Sequence, residues 1–150
     1  MKLPQPPALP NKRMPWKEYA LELAVTASMR SEDPYKKVGA CALDKNGRVL
    51  ALGYNGLASG KSINPWSQNS FWEDRDKRRP FMIHAEANCL SMVKIDECSI
   101  FASTLLPCSS CATMIAAYKI PTVIYKEEYD KDSLAHDIFK FYNIELIKAS

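Results

Sequence analysis

Long apolar runs, an opening targeting segment, a disulfide-ready set of cysteines and a lopsided charge are all missing from this 150-residue chain. No stretch approaches the roughly twenty apolar residues a helix needs to cross a bilayer, so no membrane span is expected. No basic segment followed by an apolar core opens the chain as a secretory signal would. Five cysteines is an odd number, which argues against the closed disulfide framework of a small secreted protein. The net charge of +3 is too small for a surface built to coat nucleic acid, though it suits a small anionic ligand. These absences predict an intracellular, cytoplasmic protein without a nucleic-acid or membrane partner. Histidine is scarce too, with only His84 and His136 present.

What remains is ordinary globular material. Hydrophobic residues make up 47% and charged residues 25%, which excludes disorder as the dominant state. The length fits one domain with a true core. Half of the ten prolines crowd into the first fifteen residues (Pro4, Pro6, Pro7, Pro10 and Pro15). Proline lacks the amide that helix and sheet require, so residues 1–15 read as an extended arm, loose or laid on a neighbouring subunit. Residues 16–150 read as a single domain.

Trp16, Tyr19, Ala20, Leu23, Ala24 and Ala27 fall at helical spacing and form one apolar stripe. Ser31-Glu32-Asp33-Pro34 ends that helix, because a residue before proline avoids the helical region. A hairpin follows, Val38–Leu43 and Arg48–Tyr54, turning at Asp44-Lys45-Asn46-Gly47. From Asn55 to Pro80 no period is evident, and so long a stretch in a small domain is usually functional or disordered. A second helix is expected over His84–Lys94, a strand over Ser99–Ser103 and a third helix from Cys108, just after Pro107. A strand over Thr122–Tyr125, a helix over Ser133–Tyr142 and a strand over Ile144–Ile147 complete the chain. Helices alternating with short strands after an opening hairpin predict an α/β fold, a three-layer α/β/α sandwich around one mixed five-stranded sheet. No internal repeat is present.

The chemistry concentrates in His84-Ala85-Glu86 and Pro107-Cys108-Ser109-Ser110-Cys111. One histidine and two cysteines are three borderline-soft donors, the ligand set of a tetrahedral Zn²⁺ whose fourth position stays open. Glu86 is too near His84 to chelate comfortably beside it, but it can reach a water in that open position. Histidine, a spacer and glutamate, followed by Pro-Cys, two spacers and Cys, is the pattern of zinc deaminases that act on cytosine or adenine rings. Both cysteines fall at one helix end, where the backbone amides and the positive dipole end favour thiolate. Glu86 would carry the proton from water to the ring nitrogen and then to the departing amine. The plainer reading is a structural zinc knuckle. It needs a fourth ligand; His136 has no partner motif, and Glu86 and Pro107 have no task in it.

Around these motifs, Ser31-Glu32-Asp33-Pro34 before Val38-Gly39-Ala40, Gly53-Tyr54-Asn55-Gly56, His84-Ala85-Glu86-Ala87-Asn88 and Thr104-Leu105-Leu106-Pro107-Cys108 resemble the cytidine-deaminase superfamily. Gly53-Tyr54-Asn55-Gly56 together with Asn88 is most similar to its deoxycytidylate (dCMP) branch. The resemblance runs from about residue 16 to 126. It implies a zinc-dependent deaminase domain that converts dCMP to dUMP and ammonia. It also implies that Asn55 meets the deoxyribose 3′-hydroxyl, the Ala85 N–H the cytosine carbonyl and the Leu106 C=O the exocyclic amine, with Tyr125 a sugar or phosphate contact. It further implies a homo-oligomer, hexameric for choice, activated by dCTP and inhibited by dTTP with Mg²⁺ through a loop matching Gly56–Gly60. The chain departs from many relatives at Lys61-Ser62-Ile63-Asn64, and it carries no proline just after Leu57. It has no Cys or His between Ala42 and Ile83, so a second structural zinc there is not expected.

Arg75, Lys77, Arg78 and Arg79 sit among Glu73, Asp74 and Asp76, either a solvated mixed-charge loop or a phosphate clamp. Lys36 and Lys37 compete for the same role. Cys41, Cys89 and Cys98 read as buried small hydrophobes. Trp66, Phe71 and Trp72 need cover, which a subunit contact or a lid would supply. His136 and Asp137 read as surface residues. Two other functions fit the zinc motif: a tRNA adenosine deaminase, disfavoured by the low net charge, and a non-catalytic zinc-stabilised nucleotide-binding domain, disfavoured by the intact Glu86.

Overall fold

Every residue of strand β1 (Gly39–Leu43) is buried, which requires a strand covered on both faces. The structure, a computed structural model, describes residues 13–58, 60–61 and 69–150. Most of the expected proline arm, Trp66 and part of the stretch after Gly60 lie outside the described residues. Alternation along β1 assigns the layers. Ala40 and Ala42 face one core cluster, shared with helices α4 (Ala85–Leu90), α5 (Ser109–Ala117) and α6 (Ala135–Phe141). Cys41 and Leu43 face the other, with Ala20, Leu21 and Ala24 of helix α1 (Trp16–Ser28).

The sheet has five strands in the order β2-β1-β3-β4-β5. Here β2 is Val49–Tyr54, β3 Ile100–Leu105, β4 Thr122–Glu127 and β5 Glu145–Lys148. β1 pairs antiparallel with β2 and β3, whereas β3–β4 and β4–β5 are parallel. Parallel neighbours need crossover connections, and α5 and α6 supply them. The three-layer sandwich with a mixed sheet is therefore the observed architecture.

α1 stops at Ser28, ahead of Ser31, because the amides of Met29, Arg30 and Ser31 bond three residues back and tighten the turn. Gly39 lets α1 lie close: a β-carbon there would fall 1.9 Å from the Ala24 carbonyl oxygen. Trp16 belongs to the expected stripe but is 54% exposed, its ring resting over the hairpin glycine, Gly47. α4 is shorter than expected, since the Met92 and Val93 amides reach back only three residues and end the helix. The aperiodic stretch holds two short helices, α2 (Asn69–Glu73) and α3 (Arg75–Arg78), and a 3₁₀ turn at Arg79–Phe81. Elements of four or five residues are too short to display a period. Trp72 is 1% exposed within this chain, so its cover comes from its own fold and not from a neighbouring subunit. No helix among the described residues is long and apolar enough to cross a membrane.

Candidate active site

His84 and Cys108 occupy the same structural position, the residue that caps a helix N-terminus. His84 precedes α4 with extended backbone, and Cys108 precedes α5 likewise. Cys111 follows in the first turn of α5. Both helices pack into the core on one face of the sheet, and the two sequence-distant motifs converge there. α4 is set from two directions. Gly53 of β2 lets the strand backbone press directly on Ala85 and Cys89. Upstream, Gly56 and Ile83 exchange both backbone hydrogen bonds, at 3.1 and 2.7 Å, and place the chain entering His84.

His84 Nδ1 lies 3.3 Å from Cys111 Sγ and 3.5 Å from Cys108 Sγ. The three donor atoms lie within 4.8 Å of one another, and among the described residues no fourth protein donor joins them. Zn–N near 2.0 Å and Zn–S near 2.3 Å at a tetrahedral angle place N and S about 3.5 Å apart, so the donor set fits zinc. Its chemistry fits too, with soft sulfur and imidazole and one position left over.

The three donor groups share protons among themselves. The hydrogen bond from the Cys111 thiol chiefly pulls the Cys108 pKa down, and His84 beside it adds to this. The same bond and burial hold the Cys111 proton in place. His84 is raised, mainly by its hydrogen bond to Cys108. Glu86, 4% exposed, is pushed up to about 7, chiefly by burial. A carboxyl poised there can both take and give a proton near neutrality. By contrast burial drives the Cys41 and Cys98 thiols up to about 12, and Cys89 higher still. These three are inert core residues, as their composition suggested.

A cavity of about 450 Å³ opens over His84, Glu86 and Cys108. Asn55, Ala85 and Leu106 all line it. The Asn55 side chain is pinned, its Oδ1 accepting from the Val38 amide and its Nδ2 donating to the Lys36 carbonyl. Asn88 does not reach the cavity; it donates to the Tyr54 carbonyl at 2.7 Å and ties α4 to β2. Tyr125 is 3% exposed and does not line the cavity. Its hydroxyl donates to Glu128, and burial, with that bond adding to it, raises its pKa to about 12. Glu127, Glu128 and Tyr129 form that wall instead.

Of the four cations in the charged run, Arg75, Arg78 and Arg79 line the cavity and Lys77 does not. Arg78 stacks over the Tyr35 ring at 4.7 Å and donates to the Trp72 carbonyl. Lys36 lines the cavity paired with Glu127, while Lys37 turns away to the Ser31 carbonyl. A β-carbon on Gly60, at φ +88°, would meet no atom of the described residues within 4 Å. His136 lies at the surface, as expected, and donates to Glu128 at 2.7 Å. Asp132, Glu128 and Tyr35 escape the sequence reading because their partners lie in other elements. Only the Asp-Ser-Leu order at 132–134 hints at a helix-capping carboxylate.

Residues 14–127 match the family described as the cytidine and deoxycytidylate deaminase zinc-binding region. The chain is similar to human deoxycytidylate deaminase, 32% identical over 124 residues that cover 79% of this chain and 68% of the human protein. It is also similar to the dCMP deaminase of cyanophage S-TIM5 solved with dCMP and dUMP, at 30% identity and a TM-score of 0.70, covering 89% of this chain and 96% of that one. A structure from work on tRNA:A34 deaminases aligns at TM-score 0.56 but 18% identity, covering 87% of this chain and 97% of that one, which reflects the fold alone.

Proposed function

This chain belongs to the cytidine and deoxycytidylate deaminase family and is a deaminase enzyme, and we propose that it converts dCMP to dUMP and ammonia. The observation that carries the reading is the His84–Cys108–Cys111 triad with buried Glu86 beside it, at the floor of a cavity rimmed by three arginines. The similarity to a phage enzyme that was solved with dCMP and dUMP supports the substrate.

His84, Cys108 and Cys111 would hold Zn²⁺. When bound, the metal supplies a Lewis-acidic position that brings the pKa of water toward neutrality. Glu86 takes a proton from the attacking water, passes it to the ring nitrogen and delivers a proton to the departing amine. Its pKa near 7 suits both directions of transfer. The Ala85 amide, first in α4, has no intrahelical acceptor and is free to bind the cytosine carbonyl. Leu106 offers its carbonyl to the exocyclic amine. Asn55 keeps one spare lone pair and one spare N–H beyond its two backbone bonds, enough to meet the 3′-hydroxyl. Arg75, Arg78 and Arg79 suit the 5′-phosphate, since the guanidinium fork matches phosphate oxygens.

Regulation by dCTP and by dTTP with Mg²⁺ through Gly56–Gly60, and assembly into a hexamer, belong to the same proposal on the strength of the family resemblance. One assay decides the substrate. The zinc-loaded protein is offered dCMP, deoxycytidine, cytidine, dCTP and a tRNA anticodon stem, and ammonia release is measured. Turnover of dCMP above the others is expected; editing of the RNA with no turnover of dCMP overturns the reading.

A further inference from the structure

We propose that Asp132 is a positioning residue for the metal centre, its carboxylate fixing the first turn of α5 and thereby the Cys108 and Cys111 sulfurs. A helix N-terminus leaves its first amides without partners, and the N-cap side chain normally accepts from one of them. Here the N-cap residue is Cys108, and its side chain makes no cap hydrogen bond; its sulfur faces His84 instead.

The cap arrives from elsewhere. Asp132 lies on the connection between β4 and α6, and its Oδ2 accepts from the amide of Ser109, the first residue of α5, at 2.7 Å. Ser109 stands next to Cys108 and two residues before Cys111. The other oxygen, Oδ1, accepts from the Leu134 amide at 3.1 Å at the start of α6. Asp132 thus ties the turn that carries both sulfurs to a second element of the same sheet face. His84 likewise makes no cap bond at α4, but α4 is already held through Gly53 and the Gly56–Ile83 bridge. For the first turn of α5, Asp132 provides the corresponding hold.

This inference rests on reading the His84–Cys108–Cys111 triad as the metal site, and zinc binding by the unaltered chain tests that reading separately. The experiment measures zinc affinity by competition with a chromophoric chelator, together with the melting temperature of the metal-free protein. Asp132→Ala should weaken zinc by roughly 10- to 100-fold, the usual cost of losing a group that orients a ligand. Leu134→Pro removes the other half of the carboxylate's bonding while its φ of −65° accepts proline; it should leave zinc affinity within about threefold. Ser109→Pro deletes the α5 amide at a position proline tolerates, so in that background Asp132→Ala should change zinc affinity by less than about twofold. Should Asp132→Ala fail to fold, Asp132→Asn takes its place in the same cycle, with a smaller loss that must likewise vanish beside Ser109→Pro. Unchanged zinc affinity in the Asp132 variant, whatever its melting temperature, overturns the proposal. So does an equal loss in Leu134→Pro, or a loss that persists undiminished in the Ser109→Pro background.

Discussion

Gly53 and Ala85 meet backbone to backbone: a β-carbon on Gly53 would stand 2.5 Å from the Ala85 carbonyl oxygen and equally close to the Cys89 amide nitrogen. Both atoms are helix backbone and cannot swing aside. Gly53→Ala must therefore push α4 off the sheet, moving His84 and Glu86 with it. The expected cost is about 1–3 kcal/mol of stability, the range for overpacking a core, with a loss of turnover at the same time. Gly56→Ala is the control, because its β-carbon would meet only the Glu32 side chain at 3.4 Å. Urea unfolding and steady-state kinetics on the pair check the contrast.

Glu86→Gln keeps the size and neutral form of the side chain but cannot carry a proton. The variant should bind zinc one-to-one and lose about 10²- to 10⁴-fold in kcat on dCMP. Metal content by mass spectrometry alongside the assay separates this from a damaged site. Normal turnover in a zinc-replete variant would remove Glu86 from the mechanism.

Replacing one ligand should do the reverse. In Cys111→Ser or His84→Ala the metal content should fall well below one per chain, activity should vanish and the melting temperature should drop. Chelation of the unaltered protein should copy the effect, and added zinc should restore it. Full metal occupancy in either variant would show that the ion binds elsewhere.

The arginine rim predicts a split between substrates. The Arg79 guanidinium lines the cavity with no bond to another described residue, so it is the most available for a phosphate. Arg79→Ala should raise KM for dCMP by roughly 10- to 100-fold, the worth of a charge-assisted bond, and leave turnover of deoxycytidine nearly unmoved. Equal losses on both substrates would place Arg79 in general architecture.

Glu128 gathers hydrogen bonds from the Tyr125 hydroxyl and then from His136, with Lys148 nearby, and its pKa is lowered to about 2. A folded value below the unfolded one, near 4.3, means the carboxylate stabilises the fold above the unfolded pKa and loses that contribution as pH falls toward 2. The melting-temperature gap between the unaltered protein and Glu128→Gln should be widest above pH 5 and close between about pH 4.5 and 2. A gap independent of pH would contradict the assignment.

The donor set was legible in the sequence because its parts are local: His84, and Cys108 with Cys111 one helical turn apart, stand in short motifs that the structure brings together. Helix α1 and the hairpin were readable for the same reason, since apolar spacing and an Asn-Gly turn are short-range signals. What stayed hidden depends on contacts between elements. Tyr125 looks like a ligand contact at the end of a strand, yet the next three residues curl back so that Glu128 takes its hydroxyl. Trp72 reads as a ring that needs cover from a subunit contact or a lid, whereas a helix of five residues turns it into its own chain's core. Nothing local marks Asp132 as a partner of Ser109, 23 residues away.

The bridge between Gly56 and Ile83 has one more consequence. It joins the two ends of the excursion from Leu57 to Met82, so the metal histidine takes its position from the hairpin and not from the length of chain in between. Closing a longer loop costs free energy only logarithmically in its length. The position of the metal histidine is therefore insensitive to the length of that excursion.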